Sequence, residues 1–181
     1  MEDFKIRSVP LSELSDYHRP EEVTGYCKSC PKYGQFWSCP PHGFDVSGYI
    51  HQFQHACIIG VKVHLDPVQN RNDALAYYHR RRHLLNAALL EIEADLSTAE
   101  VLFSGNCDVC NTCSRKEGQP CIRKDKMRYS LESLGYNVSE ISETLLGKKL
   151  QWDQAKMPEY LFLVAAILSN AVIDTGTIKL A

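Results

Sequence analysis

Long apolar runs are missing from this chain. The longest, Tyr160–Leu168, has nine residues, less than half of the roughly 20 that a membrane-crossing helix needs. No membrane partner is therefore expected. The first residues, Met1-Glu2-Asp3-Phe4-Lys5, are charged and lack the apolar stretch of an export signal, so the expected location is cytoplasmic. Charge of one sign is also missing. Lys and Arg number 20 against 22 Asp and Glu, a net charge of −2, which does not favour a nucleic-acid partner. Phosphate-cradling loops of the G-x-G-x-x-G or G-x4-G-K-[ST] type do not occur. Neither a G-x-S-x-G nucleophile elbow nor an H-E-x-x-H metal helix is present. Repeats and low-complexity tracts are absent. With 44% hydrophobic and 23% charged residues, intrinsic disorder is excluded as well.

What is present is one domain's length of chain, 181 residues, long enough to bury a core without staples. A single domain over 1–181 is the expectation. Against this plain background stand eight cysteines. In a reducing compartment beside an adequate core, closely spaced cysteines point to metal ligation rather than to disulfides.

Hydrophobic patterning predicts a strand over Phe4–Val9 and a short helix near Leu11–Tyr17. Residues 19–44 carry four prolines and three glycines, which predicts an ordered loop without regular structure. Asp45 can cap a short helix bearing Val46, Tyr49, Ile50 and Phe53. Ala56–Leu65 reads as a strand with its odd positions on one face. A helix is predicted over 73–96, with a stripe at 75, 78, 82, 85, 89, 92 and 96 that is apolar or aromatic except at Arg82. A short strand, Val101–Phe103, completes a strand–helix–strand unit. Met127, Leu131 and Leu134 mark a helix stopped by Gly135. Asn137 and Glu140 form a capping box before a helical face of Val138, Ile141 and Leu145 that ends at Gly147. Tyr160–Leu168 reads as a central strand covered on both faces. The predicted class is α/β or α+β, a mixed sheet with flanking helices and two cysteine-rich loops.

The first cysteine group is C-x2-C-x8-C-x2-H, formed by Cys27, Cys30, Cys39 and His42. Two readings stay open. The four residues can close a tetrahedral zinc site. Alternatively, the three thiolates hold an iron–sulfur cluster whose remaining iron is open or bound by His42. Tyr33, Phe36 and Trp37 can wall such a site, or serve as a small local core. The second group is C-x2-C-x2-C-x7-C, formed by Cys107, Cys110, Cys113 and Cys121. Its first three cysteines are spaced as in bacterial ferredoxins, while the last step is longer, so a [4Fe–4S] cluster is the favoured occupant. Six basic residues against two acidic ones between Arg115 and Arg128 would stabilise a reduced cluster or dock an anionic ligand or acidic partner. A solvated loop is the alternative. Cys57 falls on the apolar strand face and reads as a buried free thiol. His79 and His83 read as surface residues. Arg82 either snorkels to the surface, the preferred reading, or points to a cluster or bound anion.

Two composite patterns carry a resemblance. C-x2-C-x2-Y-G-x2-W-x-C-P-P is formed by Cys27, Cys30, Tyr33, Gly34, Trp37, Cys39, Pro40 and Pro41. The second cysteine group is followed by R-x-S-x-E-x2-G, formed by Arg128, Ser130, Glu132 and Gly135. Together they resemble the predicted metal-binding proteins of domain of unknown function family 2284, over most of the chain. Tyr129, where a proline is common, and Cys57 depart from the pattern without touching the ligands. The resemblance implies metal or iron–sulfur binding and no particular reaction. Arg128, Ser130 and Glu132, with Tyr33 and Trp37, are then expected just outside the ligands, although Arg128 and Glu132 could simply pair along a helix.

Three functions follow as expectations. In the first, a redox protein passes single electrons through the second group, with a further metal at the first and a partner protein as donor or acceptor. In the second, an enzyme offers a small substrate an open iron at the first group. In the third, a binding module uses structural zinc.

Overall fold

The computed structural model describes residues 3–65, 70–151 and 158–180. Its regular elements are β1 (Asp3–Pro10), α1 (Leu11–Ser15), α2 (Pro20–Lys28), α3 (Val46–Ile50), β2 (His55–His64), α4 (Arg71–Asp95), β3 (Ala99–Leu102), α5 (Val138–Leu146) and β4 (Tyr160–Ser169). The strands form one sheet in the order β1-β2-β4-β3. All three pairings are antiparallel, and the architecture is α+β.

The last strand lies inside the sheet. β4 pairs with β2 along its whole length, from His55 opposite Ser169 to His64 opposite Tyr160, and takes β3 on its other side. The predicted strand–helix–strand unit is therefore split. β2 and β3 run parallel but do not touch, because the most apolar segment of the chain occupies the place between them.

Alternation sorts each strand's side chains onto two covered faces. Cys57, Ile59, Val61 and Val63 of β2, with Leu163, Ala165 and Ile167 of β4, pack under Leu85 and Leu89 of α4. Ala56 and Ile58, with Val164, Ala166 and Leu168, pack against Leu14, Ile50, Ile141 and Leu145 from α1, α3 and α5. Burial on both faces explains why β4 carries no polar position between Leu161 and Leu168.

Two expectations are corrected. Residues 19–44 are not wholly irregular, since Pro20–Lys28 is the helix α2. Pro20 occupies its first turn, where a missing N–H costs nothing. Glu21 and Glu22 favour the same end, and a Cβ at Gly25 would face open space. The density of prolines and glycines holds only beyond Lys28. The segment 127–134 is not an α-helix either. Phe103 N–H donates to the Tyr129 carbonyl at 2.7 Å, drawing the chain out beside β3. Ser130 and Ser133 then satisfy each other's backbone N–H groups with their hydroxyls. Such local side-chain bonds compete with helix formation, and only a 3-10 turn, Glu132–Leu134, remains.

Gly135 ends that turn at φ +87°, where a Cβ would stand 3.1 Å from the Pro20 Cα. Gly135→Ala is expected to cost about 1–2 kcal/mol from the left-handed backbone alone, and more from the clash with α2. A urea titration of the variant checks this, and an unchanged midpoint would contradict it.

Candidate metal centre

The second cysteine loop leaves the sheet at the end of β3 and is received by buried polar side chains of α4. Asn86 accepts from Ser104 N–H at 3.0 Å and donates to Asp108 Oδ1 at 3.1 Å. Arg82 donates to Asn106 Oδ1 at 2.9 Å and lies 3.7 Å from the Asp108 carboxylate. Only 7% of Arg82 is exposed. It does not snorkel but turns into the cysteine loops, because Asn106 and Asp108 give it partners there.

Cys107, Cys110, Cys113 and Cys121 all line one small cavity, closed by Val109, Met127, Phe36 and Trp37. A 3-10 turn over Ser114–Glu117 and left-handed Gly118 reverse the chain between the third and fourth cysteines. Ser114 Oγ donates to the Pro120 carbonyl at 2.7 Å and closes that reversal.

Cys27 lies in the last turn of α2, and Cys30 follows in the turn beyond it, its N–H on the Cys27 carbonyl. Cys39 feels the charge of both thiols and of Lys32. Burial pushes the Cys39 thiol up to about 11 and raises Cys27 also. Lys32 donates to the same Asn106 oxygen as Arg82, at 2.8 Å, and burial lowers its pKa, with Arg82 adding to the effect. His42 is held by partners outside the cysteines. Its Nε2 donates to the Ser133 carbonyl at 2.7 Å, its ring packs against Phe44 and Tyr129, and burial lowers its pKa. Only Nδ1 is left with a lone pair.

The two groups are tied to each other. Cys107 N–H donates to Ser38 Oγ at 2.9 Å, one residue from Cys39. Arg115 gives its guanidinium to the carbonyls of Phe36, Cys39 and Pro41 at 2.6–2.8 Å and lies over the Trp37 ring. Trp37 Nε1 donates to the Gln119 carbonyl at 3.0 Å. Arg115 is thus a clamp between loops rather than a free surface charge.

Of the remaining candidates, Arg128 does not pair with Glu132. It forms a two-pronged ion pair with Glu93 of α4, the shortest contact being 2.5 Å. Ser130 holds the turn described above, and Glu132 lies within electrostatic reach of Cys27. Tyr33 joins the first loop through its N–H on the Cys30 carbonyl. Lys32, Ser38, Asn86 and Asn106 were not legible as site residues. For three of them the only signal is position, two inside the first loop and one beside Cys107, and Asn86 in α4 carries none.

All eight cysteines are free thiols. Four thiols round one cavity make a donor set that suits thiophilic metals. Among the described residues, however, no three Cys, His, Asp or Glu side chains stand close enough to enclose a single ion. A family model described as a predicted metal-binding protein, DUF2284, matches residues 13–168. The chain belongs to this family. Metal binding is the property predicted for the DUF2284 family, and the cysteine groups are the candidate ligands in this chain. No curated protein and no solved structure matches the chain. Among the described residues, no helix is long and apolar enough to cross a membrane.

The thiols of this DUF2284 chain should differ in reactivity. Cys57 is 1% exposed and burial raises its pKa to about 12, whereas Cys30 is exposed. Because the thiolate is the nucleophile, iodoacetamide acting on the metal-free chain near pH 8 is expected to label Cys30 first and Cys57 last, as mass spectrometry would read. Early labelling of Cys57 would contradict its place under α4. A raised thiol pKa also fixes a sign. The stability contributed by keeping Cys57 neutral is complete below its ordinary value near 9 and is lost as pH rises towards 12.

Proposed function

We propose that Cys107, Cys110, Cys113 and Cys121 hold a [4Fe–4S] cluster, and that the chain is a redox protein exchanging single electrons between this cluster and a second metal site at Cys27, Cys30 and Cys39. The observation that carries the reading is the cavity lined by all four thiols of the second group. A tetrahedral zinc ion, with Zn–S bonds of about 2.3 Å, gathers its sulfurs to about 3.8 Å of one another. A cubane takes one thiolate on each iron and so spreads them over a wider cage. Four thiols round one cavity supply one thiolate for each iron of such a cage. The iron–sulfur spacing of the sequence supports the same occupant.

The Cys107 N–H to Ser38 Oγ bond supports electron exchange between the sites, since it joins the backbones beside a ligand of each group. The apolar wall of Phe36, Trp37, Val109 and Met127 keeps water from the cluster, one of the factors that set its potential. Ile122, 71% exposed beside Cys121, is followed in sequence by exposed Lys124 and Lys126, a segment suited to an acidic redox partner protein. A reducing compartment such as the cytoplasm fits a chain of free thiols.

A second reading has its own support. With His42 Nε2 bonded to Ser133, the first group has three thiol donors and no committed fourth, which suits an enzyme with an open coordination position for a small substrate. Anaerobic reductive titration followed by visible and electron paramagnetic resonance spectra tests the proposal. Reversible one-electron bleaching with a reduced-cluster signal is expected. An iron-loaded protein that takes up no electron reversibly would overturn the redox role.

A further inference from the structure

Ala87, Leu90, Glu91 and Ala94 stand three and four residues apart and share one face of α4. That face forms part of a cleft of about 960 Å³. β3 adds Ala99 and Glu100, and the segment 124–129 completes the lining. These parts are fastened to one another. Glu93 of α4 pairs with Arg128, and Arg128 Nη1 donates to the carbonyls of Asp125 and Met127 at 3.0 and 2.9 Å. The Tyr49 hydroxyl donates to Glu100 Oε1. The cleft is therefore preformed, and its volume lies near the top of the roughly 300–1,000 Å³ found for small-molecule sites.

The charges of the lining divide by element. Glu93 and Arg128 neutralise each other, and Asp125 pairs with Arg123 at 3.4 Å. What remains is Glu91 and Glu100 from α4 and β3, and Lys124 and Lys126 from the segment beyond Cys121. Glu91, Lys124 and Lys126 make no hydrogen bond or ion pair among the described residues. An anion drawn in by the lysines would meet two carboxylates, and a cation drawn in by the carboxylates would meet two ammonium groups. A ligand with one charge of each sign at its two ends is matched by both pairs. Ala87, Leu90, Ala94, Ala99 and Met127 offer apolar surface to whatever lies between those ends.

We propose that this cleft binds a short zwitterionic peptide. Its terminal ammonium lies at Glu91 and Glu100, its terminal carboxylate at Lys124 and Lys126, and its apolar side chains on the alanine-rich floor. A single amino acid would leave most of the cleft empty, whereas about three residues approach the drug-sized ligands that such clefts enclose. The site does not depend on metal at either cysteine group. Met127 lines both this cleft and the cavity of the second group, so a bound peptide shares one wall residue with the four thiols.

Isothermal titration calorimetry of the full chain, purified anaerobically, tests this with the tripeptide alanyl-leucyl-alanine. The same peptide is also used N-acetylated, C-amidated and blocked at both ends. Each single block removes one terminal charge and is expected to weaken binding about fivefold. Two double variants then assign the ends. With Glu91→Gln and Glu100→Gln together, acetylation should cost nothing further while amidation still does. With Lys124→Gln and Lys126→Gln together, the pattern should reverse. Glu91, Lys124 and Lys126 are exposed, and glutamine at position 100 keeps an acceptor for Tyr49, so both variants are expected to fold, as circular dichroism checks. Should the glutamate pair fail to fold, the lysine pair and the blocked peptides decide alone. No binding at millimolar peptide would overturn the proposal. Equal binding of the doubly blocked peptide would mark an apolar groove only and overturn it too, as would end-block penalties that persist unchanged in the variants.

Discussion

Cys113→Ser is expected to remove about four iron atoms per chain from the anaerobically purified protein, with most of the visible colour. Cys113 lines the cavity together with Cys107, Cys110 and Cys121. It also stands at the entry to the Ser114–Glu117 turn that brings Cys121 back to the same cavity. Serine keeps the volume but replaces a thiolate with a hydroxyl that stays protonated and binds iron poorly. Cys113 is no part of either sheet core, so the sheet should remain folded and far-UV circular dichroism is expected to change little. The same exchange at Cys57 is expected to leave iron unchanged, because that thiol is buried in the sheet core under α4. Equal iron in the Cys113 variant and the wild type would remove the second group as the cluster site.

Arg128→Ala is expected to be the most destabilising single change among the polar residues of the site. Arg128 and Glu93 are 15% and 13% exposed as side chains. Glu93 Oε1 also accepts from Val101 N–H at 2.8 Å, holding β3 to α4. Removing the arginine leaves a largely buried carboxylate unpaired, which costs about 3–5 kcal/mol, and the residual exposure places the value near the lower end. Arg128→Lys keeps the charge but loses the two-pronged geometry and should fall between the two. The double change of Arg128 and Glu93 to methionine is expected to cost less than Arg128→Ala alone, since it strands no charge. Guanidinium denaturation of the four proteins measures this. If Arg128→Ala costs under 1 kcal/mol, the pair does not anchor the cysteine loop to α4.

The strands were legible because their patterns are local. Ala56–Leu65 alternates, Tyr160–Leu168 is uniformly apolar, and each landed within a residue or so of β2 and β4. The position of β4 between β2 and β3 was not legible, since no spacing within either strand records which edge a later segment takes. Capping chemistry was also local, and the side chains of Asp45 and Asn137 accept the backbone N–H groups expected of them. The helix α2 is hidden in the sequence because proline inside a helix breaks it, while at a helix start it is tolerated.

In the site, cysteine spacing carried the second group, because short steps confine the thiols to one neighbourhood. It carried less at the first group, where the position of His42 depends on Ser133, 91 residues away. The partners of Arg82 and Arg128 lie 24 and 35 residues away. An arginine's destination across such distances depends on packing, which is why a surface reading of Arg82 and a helix pair for Arg128 both failed.

The account stands most directly on the metal content of the wild-type chain. Iron, acid-labile sulfide and zinc are to be measured per chain after anaerobic purification, together with the visible spectrum. The account predicts iron and sulfide in equal amounts, about four of each for one cubane and about eight for two, in a brown protein. A colourless protein with zinc alone would contradict it and leave a fold stabilised by structural metal.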